Sequence, residues 1–285
     1  MFIYNRKTQE TINEKVFKSK GIDFYYKTTL GGFLRLFARL RFVSKICSIF
    51  YKRKKSKKKI QNFIDYYNID MTDYESDYNS FNDFFIRERT TSNIDHTPKH
   101  LIAPADSCVL ALNIKNDTIY TIKNKNYTLT KFLKNKQLAQ EYEGGVCLIF
   151  RLRAYDFHRF CYVDDGGVLK QKHIRGFLDS VNINATGKFT LSSNYRQVSQ
   201  LATQNFGNII VAEIGAMLVG QIVQTHKETI FSRGDEKGYF EFGGSSIVIL
   251  LKKDIIKIDD DILKYSSKNI ETLVKQGERV GVKYE

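Results

Sequence analysis

The sequence predicts an α+β fold in which a basic, helical, membrane-associating region (residues 1–75) precedes a mostly antiparallel β domain (residues 76–285). Three observations carry that expectation. Large apolar residues recur at helical spacing only in the first third of the chain. After about Leu101 they fall instead into short alternating or continuous runs broken by Gly, Asn and Asp. Hydrophobic residues make up 42% of 285 residues and aromatics 13%, enough for a packed core rather than a disordered chain.

The N-terminal ten residues are polar and lack the charged-then-apolar plan of a signal peptide. From Gly31 to Tyr51 the chain reads GGFLRLFARLRFVSKICSIFY. On a helical wheel Phe33, Leu36, Phe37, Leu40, Val43 and Cys47 share one side, and Arg35, Arg39 and Lys45 fall elsewhere. That pattern suits a helix lying in a membrane interface. It leads into KRKKSKKK (Lys52 to Lys59), whose cations would each add about 1 kcal/mol of attraction near anionic headgroups. A core-packing helix followed by a solvated basic loop is the competing reading. A nucleic-acid arm ranks lower, because no nucleic-acid-binding fold signature accompanies the charge. No run reaches the roughly 18 apolar residues of a membrane-spanning helix.

Ile60, Phe63, Ile64 and Tyr67 then repeat at i, i+3, i+4 and i+7, the spacing of a short amphipathic helix. In SFNDFFIRE, Ser80 is a candidate N-cap with Asp83 three residues on, and Phe81, Phe84 and Phe85 share a face. Strands are expected at Cys108 to Leu112, Val146 to Leu152, Val168 to Ile174, Asn208 to Ile214, Leu218 to Thr225 and Ser246 to Leu251. The net charge of +14 implies an anionic partner. Four cysteines (Cys47, Cys108, Cys147 and Cys161) lack CxxC spacing, so free thiols in a reducing compartment are expected.

Among five histidines, His158, Cys161 and His173 form the closest approach to a zinc pattern, but no second close pair completes it, and no metal is expected. No G-x-S-x-G elbow, Walker loop or dinucleotide fingerprint is present. Three short stretches remain: APADS around Asp106, AYDFHRFC around His158 and EFGGSS around Ser245. Alone, each reads as a turn or a packed core residue.

In this order, and with FNDFFIRE (Arg87 within it), HIRGFLDSVN, NYRQV and EIGAMLVGQI beside them, they resemble the phosphatidylserine decarboxylase family, pyruvoyl-dependent enzymes of the bacterial type. The likeness covers roughly residues 75 to 255. It implies a proenzyme that cuts itself between Gly244 and Ser245 and makes its own cofactor, a covalent pyruvoyl group derived from Ser245. Ser245 Oγ would attack the Gly244 carbonyl, with Gly243 and Gly244 permitting the turn. The resulting ketone would take up the substrate amine as an imine and accept electrons as CO2 leaves, the role pyridoxal phosphate plays elsewhere.

The resemblance also assigns Asp106, His158 and Ser245 as catalytic residues. Many members carry two histidines in a Tyr-His-Arg-x-His arrangement. Here His158 matches the first and Cys161 stands at the second, so His158 is expected to serve both cleavage and decarboxylation in a charge relay with Asp106. Cys161, as a thiolate, is a candidate auxiliary. NYRQV further departs from the family pattern with Tyr195 in place of a glutamate. The implied partners are phosphatidylserine, an anionic membrane surface on the cytoplasmic side with the chain bound peripherally, and the two cut chains held together, with room for a homodimer and none for nucleic acid. Two alternatives stay open: a pyruvoyl decarboxylase for another amino substrate, and an inactive membrane-binding homologue.

Overall fold

A computed structural model describes residues 2–14, 28–31, 41–122, 125–180, 190–216, 221–243 and 245–284. In chain order its first strands are β1 (Phe2–Asn5), β2 (Glu10–Asn13), β3 (His100–Ile102), β4 (Ser107–Asn113), β5 (Thr118–Ile122) and β6 (Lys125–Thr128). Next come β7 (Val146–Leu152), β8 (Arg159–Cys161), β9 (Gly166–Ile174), β10 (Arg196–Thr203), β11 (Gly207–Gly215) and β12 (Ile222–Gln224). The last are β13 (Ile230–Phe231), β14 (Glu236–Phe240), β15 (Ser245–Leu251), β16 (Ile256–Ile258), β17 (Glu271–Val274) and β18 (Arg279–Lys283).

Ten of these strands form one sheet in the order β13-β9-β10-β11-β15-β7-β4-β17-β1-β2. Smaller sheets β12-β14-β8 and β16-β18-β3 and the hairpin β5-β6 complete the β structure of the described residues. Among the described strand pairs only β1 with β17 is parallel. The antiparallel expectation therefore holds. Five of the six expected strands appear within two residues of their predicted ends. The sixth shortens to β12, with residues 217–220 outside the described set.

β15 is the middle of the large sheet, and all seven of its residues are buried. Its side chains alternate between two cores. Ile247, Ile249 and Leu251 pack with Phe150, Val211 and Phe240 on one face. Val248 and Leu250 pack with Ile149, Ile210 and Phe132 on the other. A strand covered on both faces loses hydrophobic alternation and reads as a continuous apolar run.

The helical layer departs from expectation in two places. Residues 2–13, placed in the helical region by the sequence, form β1 and β2 and extend the main sheet; four-residue strands carry too little periodicity to be read. Ile3, fully buried, anchors them. Residues 32–40 of the basic amphipathic segment lie outside the described set, and its remainder is the helix Arg41–Lys52. That helix turns Ser44 and Ser48 inward, leaves Val43 and Cys47 half-buried, and exposes Ile46, Ile49 and Phe50. Large apolar side chains thus lie on the exposed side with Lys45.

The lysine run is ordered as a 3-10 helix, Lys54–Lys59. Ser56, its one uncharged residue, is buried. Its hydroxyl donates to Arg53 O at 2.6 Å, with Tyr51 O also in reach at 2.8 Å, and accepts from Phe81 N at 2.9 Å. The next helix spans Ile60–Tyr67, and the short helix Phe81–Phe85 follows. Ser80 caps the latter as the sequence indicates, accepting from Asp83 N at 3.1 Å. Ile60, Phe63, Phe81, Phe84 and Phe85 form a separate small core.

Because Ser56 ties the basic run to the Phe81 amide, Ser56→Ala strands a buried N–H and should destabilise the fold by about 1–2 kcal/mol. Lys55→Ala on the exposed side should change stability by less than about 0.5 kcal/mol. Urea unfolding of the two variants checks the contrast.

Candidate active site around Ser245

Ser245 opens β15, with Gly215 of β11 on one side and Leu152 of β7 on the other. It is fully buried, and its Oγ has no hydrogen-bond partner among the described residues. The preceding chain is held by the Phe81–Phe85 helix. Phe242 N donates to Asn82 Oδ1 at 3.2 Å, and the Phe242 ring meets Phe85 at 5.1 Å and Phe81 at 5.2 Å between centroids. On its other side Phe242 packs on Tyr51, at 4.1 Å, while Lys52 pairs with Glu241 at 2.6 Å. Gly243 has φ 141°, a backbone region that residues with a Cβ rarely adopt. Gly244, the other half of the expected cleavage bond, lies outside the described residues.

His158 sits between β7 and β8 and is fully buried. The turn before it is fixed by Asp156, whose carboxylate accepts from Arg153 N at 2.7 Å and from Arg153 Nη2 at 2.6 Å. The Asp156 carbonyl lies 2.8 Å from His158 Nδ1. A carbonyl only accepts, so Nδ1 carries the proton and the Nε2 lone pair is left open. Nε2 is buried and has no partner among the described residues. Burial, helped by the nearby Arg87 charge, holds the His158 pKa down to about 3, so the imidazole is neutral at ordinary pH. The Phe85 ring covers it at 3.8 Å, and His158 O accepts from Phe240 N at 3.0 Å.

Arg87 braces this turn. It is buried, lies over the Tyr74 ring at 4.6 Å, and donates to Tyr155 O at 3.1 Å and Asp156 O at 3.4 Å.

Asp106 is differently engaged. Its carboxylate accepts from Arg89 Nη2 at 2.6 Å, Lys275 Nζ at 2.9 Å and Gln276 N at 2.9 Å. Burial opposes its ionised form, but the Lys275 and Arg89 charges and the Gln276 amide outweigh that and hold it below the usual carboxylate range. Among the described residues no hydrogen bond joins Asp106 to His158, the pair expected to act as a charge relay. Two cations compete better for the carboxylate than a neutral imidazole whose Nδ1–H already has a carbonyl. The Asp106 charge still reaches His158, as a minor influence against burial.

Cys161 lies on β8 with its amide donating to Pro104 O at 2.9 Å. Burial in the main core pushes its thiol up to about 12, so it stays protonated at neutral pH. Burial thus disfavours the thiolate considered for it. The Gln276 side chain donates to Pro104 O and Arg159 O at 3.2 and 3.3 Å, tying this strand to the C-terminal segment. Among the described residues no three His, Cys, Asp or Glu side chains gather as a metal site.

Several residues at this corner were not singled out as site residues from sequence: Asn82, Phe85, Asp156 and Gln276. The motif FNDFFIRE marks the first two. Asp156 acts partly through its backbone carbonyl, which leaves no trace in residue identity.

Comparison with known proteins identifies the family. The family model described as phosphatidylserine decarboxylase matches residues 81–282. The chain is 45% identical over 284 residues to the phosphatidylserine decarboxylase proenzyme 2 of Clostridium acetobutylicum, covering 98% of this chain and 97% of that protein. It is 41% identical over 291 residues to the phosphatidylserine decarboxylase proenzyme of Clostridium perfringens, covering 99% of each. A proenzyme of the same name from Clostridium botulinum is 39% identical over 290 residues, covering 98% of each chain. With nearly its whole length matched in this way, the chain belongs to the phosphatidylserine decarboxylase family.

Proposed function

We propose that this chain is a proenzyme that cuts its own Gly244–Ser245 bond, converts residue 245 into a pyruvoyl group, and decarboxylates phosphatidylserine to phosphatidylethanolamine. The carrying observation is a pair of buried polar atoms at one corner, Ser245 Oγ and His158 Nε2, that have no hydrogen-bond partner among the described residues. Phe85 touches both the His158 ring and the Phe242 ring just upstream of the bond. Burying two such atoms without partners is unfavourable, and a reactive role accounts for their retention.

In the first step Ser245 Oγ gives its proton to His158 Nε2 and bonds to the Gly244 carbonyl carbon. The carbon–nitrogen bond opens, and the proton passes to the freed amine of residue 245, leaving an ester. Loss of a Cα proton then breaks the Cβ–O bond, which frees Gly244 as a carboxylate and leaves dehydroalanine at 245. One water replaces its nitrogen and ammonia departs. An imidazole with so low a pKa is a weak base, sufficient for a reaction that each chain performs once. When present, the pyruvoyl group supplies a carbonyl that accepts the substrate amine and the electrons left by CO2. Around it, His158 would take up and return a proton, and Asp106, with Arg89 and Lys275, ties the C-terminal segment to the body of the chain.

A lipid substrate needs a surface. The exposed Ile46, Ile49 and Phe50 beside the lysine run support docking on an anionic membrane. No helix among the described residues is long and apolar enough to cross one, and peripheral attachment is the arrangement we favour.

Three outcomes test the proposal. The intact mass of the purified protein should resolve into chains 1–244 and 245–285, the latter blocked at its new N-terminus, and Ser245→Ala should stay whole. A whole, carbonyl-free parent chain would defeat the reading. His158→Ala should slow cleavage by at least about a hundredfold, whereas Cys161→Ala should cut at the parental rate, both followed on a denaturing gel. The pH profile is a third check. Burial lowers the folded His158 pKa to about 3, below the ordinary value of about 6.5. The neutral base therefore persists as pH falls through 6.5 and is lost only near 3. The cleavage rate of refolded proenzyme should show no inflection at pH 6–7. By the same sign, His158 costs stability as pH falls from 6.5 towards 3, where the unfolded chain binds the extra proton.

A further inference from the structure

We infer that residues 2–14 form a strap whose partner is the C-terminal fragment 245–285, holding that fragment in place once the chain is cut. The inference rests on the cleavage proposed above and assigns a role to a segment outside the catalytic corner.

The contacts of Arg6, Tyr4 and β1 with the rest of the chain fall on one side of the cleavage point. Arg6 Nε donates to Asp261 Oδ2 at 2.6 Å, Nη2 to Asp259 Oδ2 at 2.7 Å, and Nη1 to Glu278 Oε1 at 3.1 Å and Arg279 O at 2.6 Å. All four acceptors belong to 245–285. The guanidinium fork is largely covered, so these pairs are less screened than ordinary surface ion pairs. The Tyr4 ring stacks on Tyr265 at 3.9 Å between centroids. β1 pairs in parallel with β17, Ile3 against Glu271 through Asn5 against Leu273. Without β1, β17 would be an open sheet edge.

The far end of the strap reaches the same fragment through a bridge. Glu14 accepts from Arg151 Nη1 at 3.0 Å, and Arg151 Nη2 donates to Glu271 Oε2 at 2.6 Å. Arg151 lies on β7 directly opposite Ser246, one residue from the cut. A cation between two carboxylates, one from each prospective fragment, is satisfied only while both are in place. Before cleavage these contacts are redundant with the covalent chain. Afterwards they act between two molecules, and each then bears on retention.

The test reads retention directly. Cleaved parent, Arg6→Ala and Tyr4→Ala are held in graded urea, and the 245–285 fragment still co-eluting with 1–244 on gel filtration is followed over time. Arg6→Ala should release it about tenfold faster at matched urea, the factor to which about 1.4 kcal/mol corresponds. Tyr4→Ala should move in the same direction, and Arg6→Lys should lie between parent and Arg6→Ala. In an uncleavable Ser245→Ala background the same substitutions should leave the far-ultraviolet circular dichroism in buffer unchanged. Equal release from parent and both alanine variants overturns the strap, as does misfolding of Arg6→Ala in the uncleavable background. A parent chain that is never cut removes the function proposed above along with the strap, whereas a cut parent with unchanged release removes the strap alone.

Discussion

The site depends on one constraint, the backbone ladder that locks β15 between β11 and β7. Seven consecutive residues of β15 face β7, from Ser245 against Leu152 to Leu251 against Val146. Six face β11, ending at Ser245 against Gly215. A strand so placed cannot slip by one residue without turning Ile247, Ile249 and Leu251 into the wrong core. The register therefore fixes where Ser245 stands, at the last rung, next to a turn whose Gly243 occupies a conformation closed to other residues.

Around that rung the protein buries an unusual amount of charge, and the partners differ in kind. Arg151 lies between two glutamates, Arg153 faces one aspartate, and Arg87 has backbone carbonyls and an aromatic face. The last arrangement leaves a positive charge only partly compensated beside His158. It contributes, after burial, to keeping the imidazole neutral. Asp106 would oppose that effect more strongly if it were not itself occupied by Arg89 and Lys275. Burial is the main reason this imidazole stays unprotonated, and Asp106, engaged by Arg89 and Lys275, opposes it only weakly.

Much of this was legible in the sequence, for identifiable reasons. Apolar runs such as VCLIFRL and SSIVILL mark buried strands because both faces are covered, and Ser80 with Asp83 marks a cap by a strictly local rule. The candidate site residues were readable through family resemblance, because their motifs are contiguous. Three things were not. The hairpin at residues 2–13 is too short to have a period, and its stability comes from β17, more than 250 residues away. The Asp156 carbonyl acts without a side chain. The ties of Asp106 to Lys275 and Gln276 join positions about 170 residues apart, so the sequence suggested a relay where the folded chain forms an inter-segment tie.

Under the proposed cleavage the two sides of the glycine turn at 243 are held differently. The downstream end remains fixed by β11 and β7, whereas the upstream end hangs from Phe242, Asn82 and the helix bearing Tyr51 and Lys52. Rejoining would require both ends to be presented to each other at high local concentration. In the proposed sequence the nitrogen needed to close the bond again leaves as ammonia, so the scission would be a one-way event once elimination has occurred.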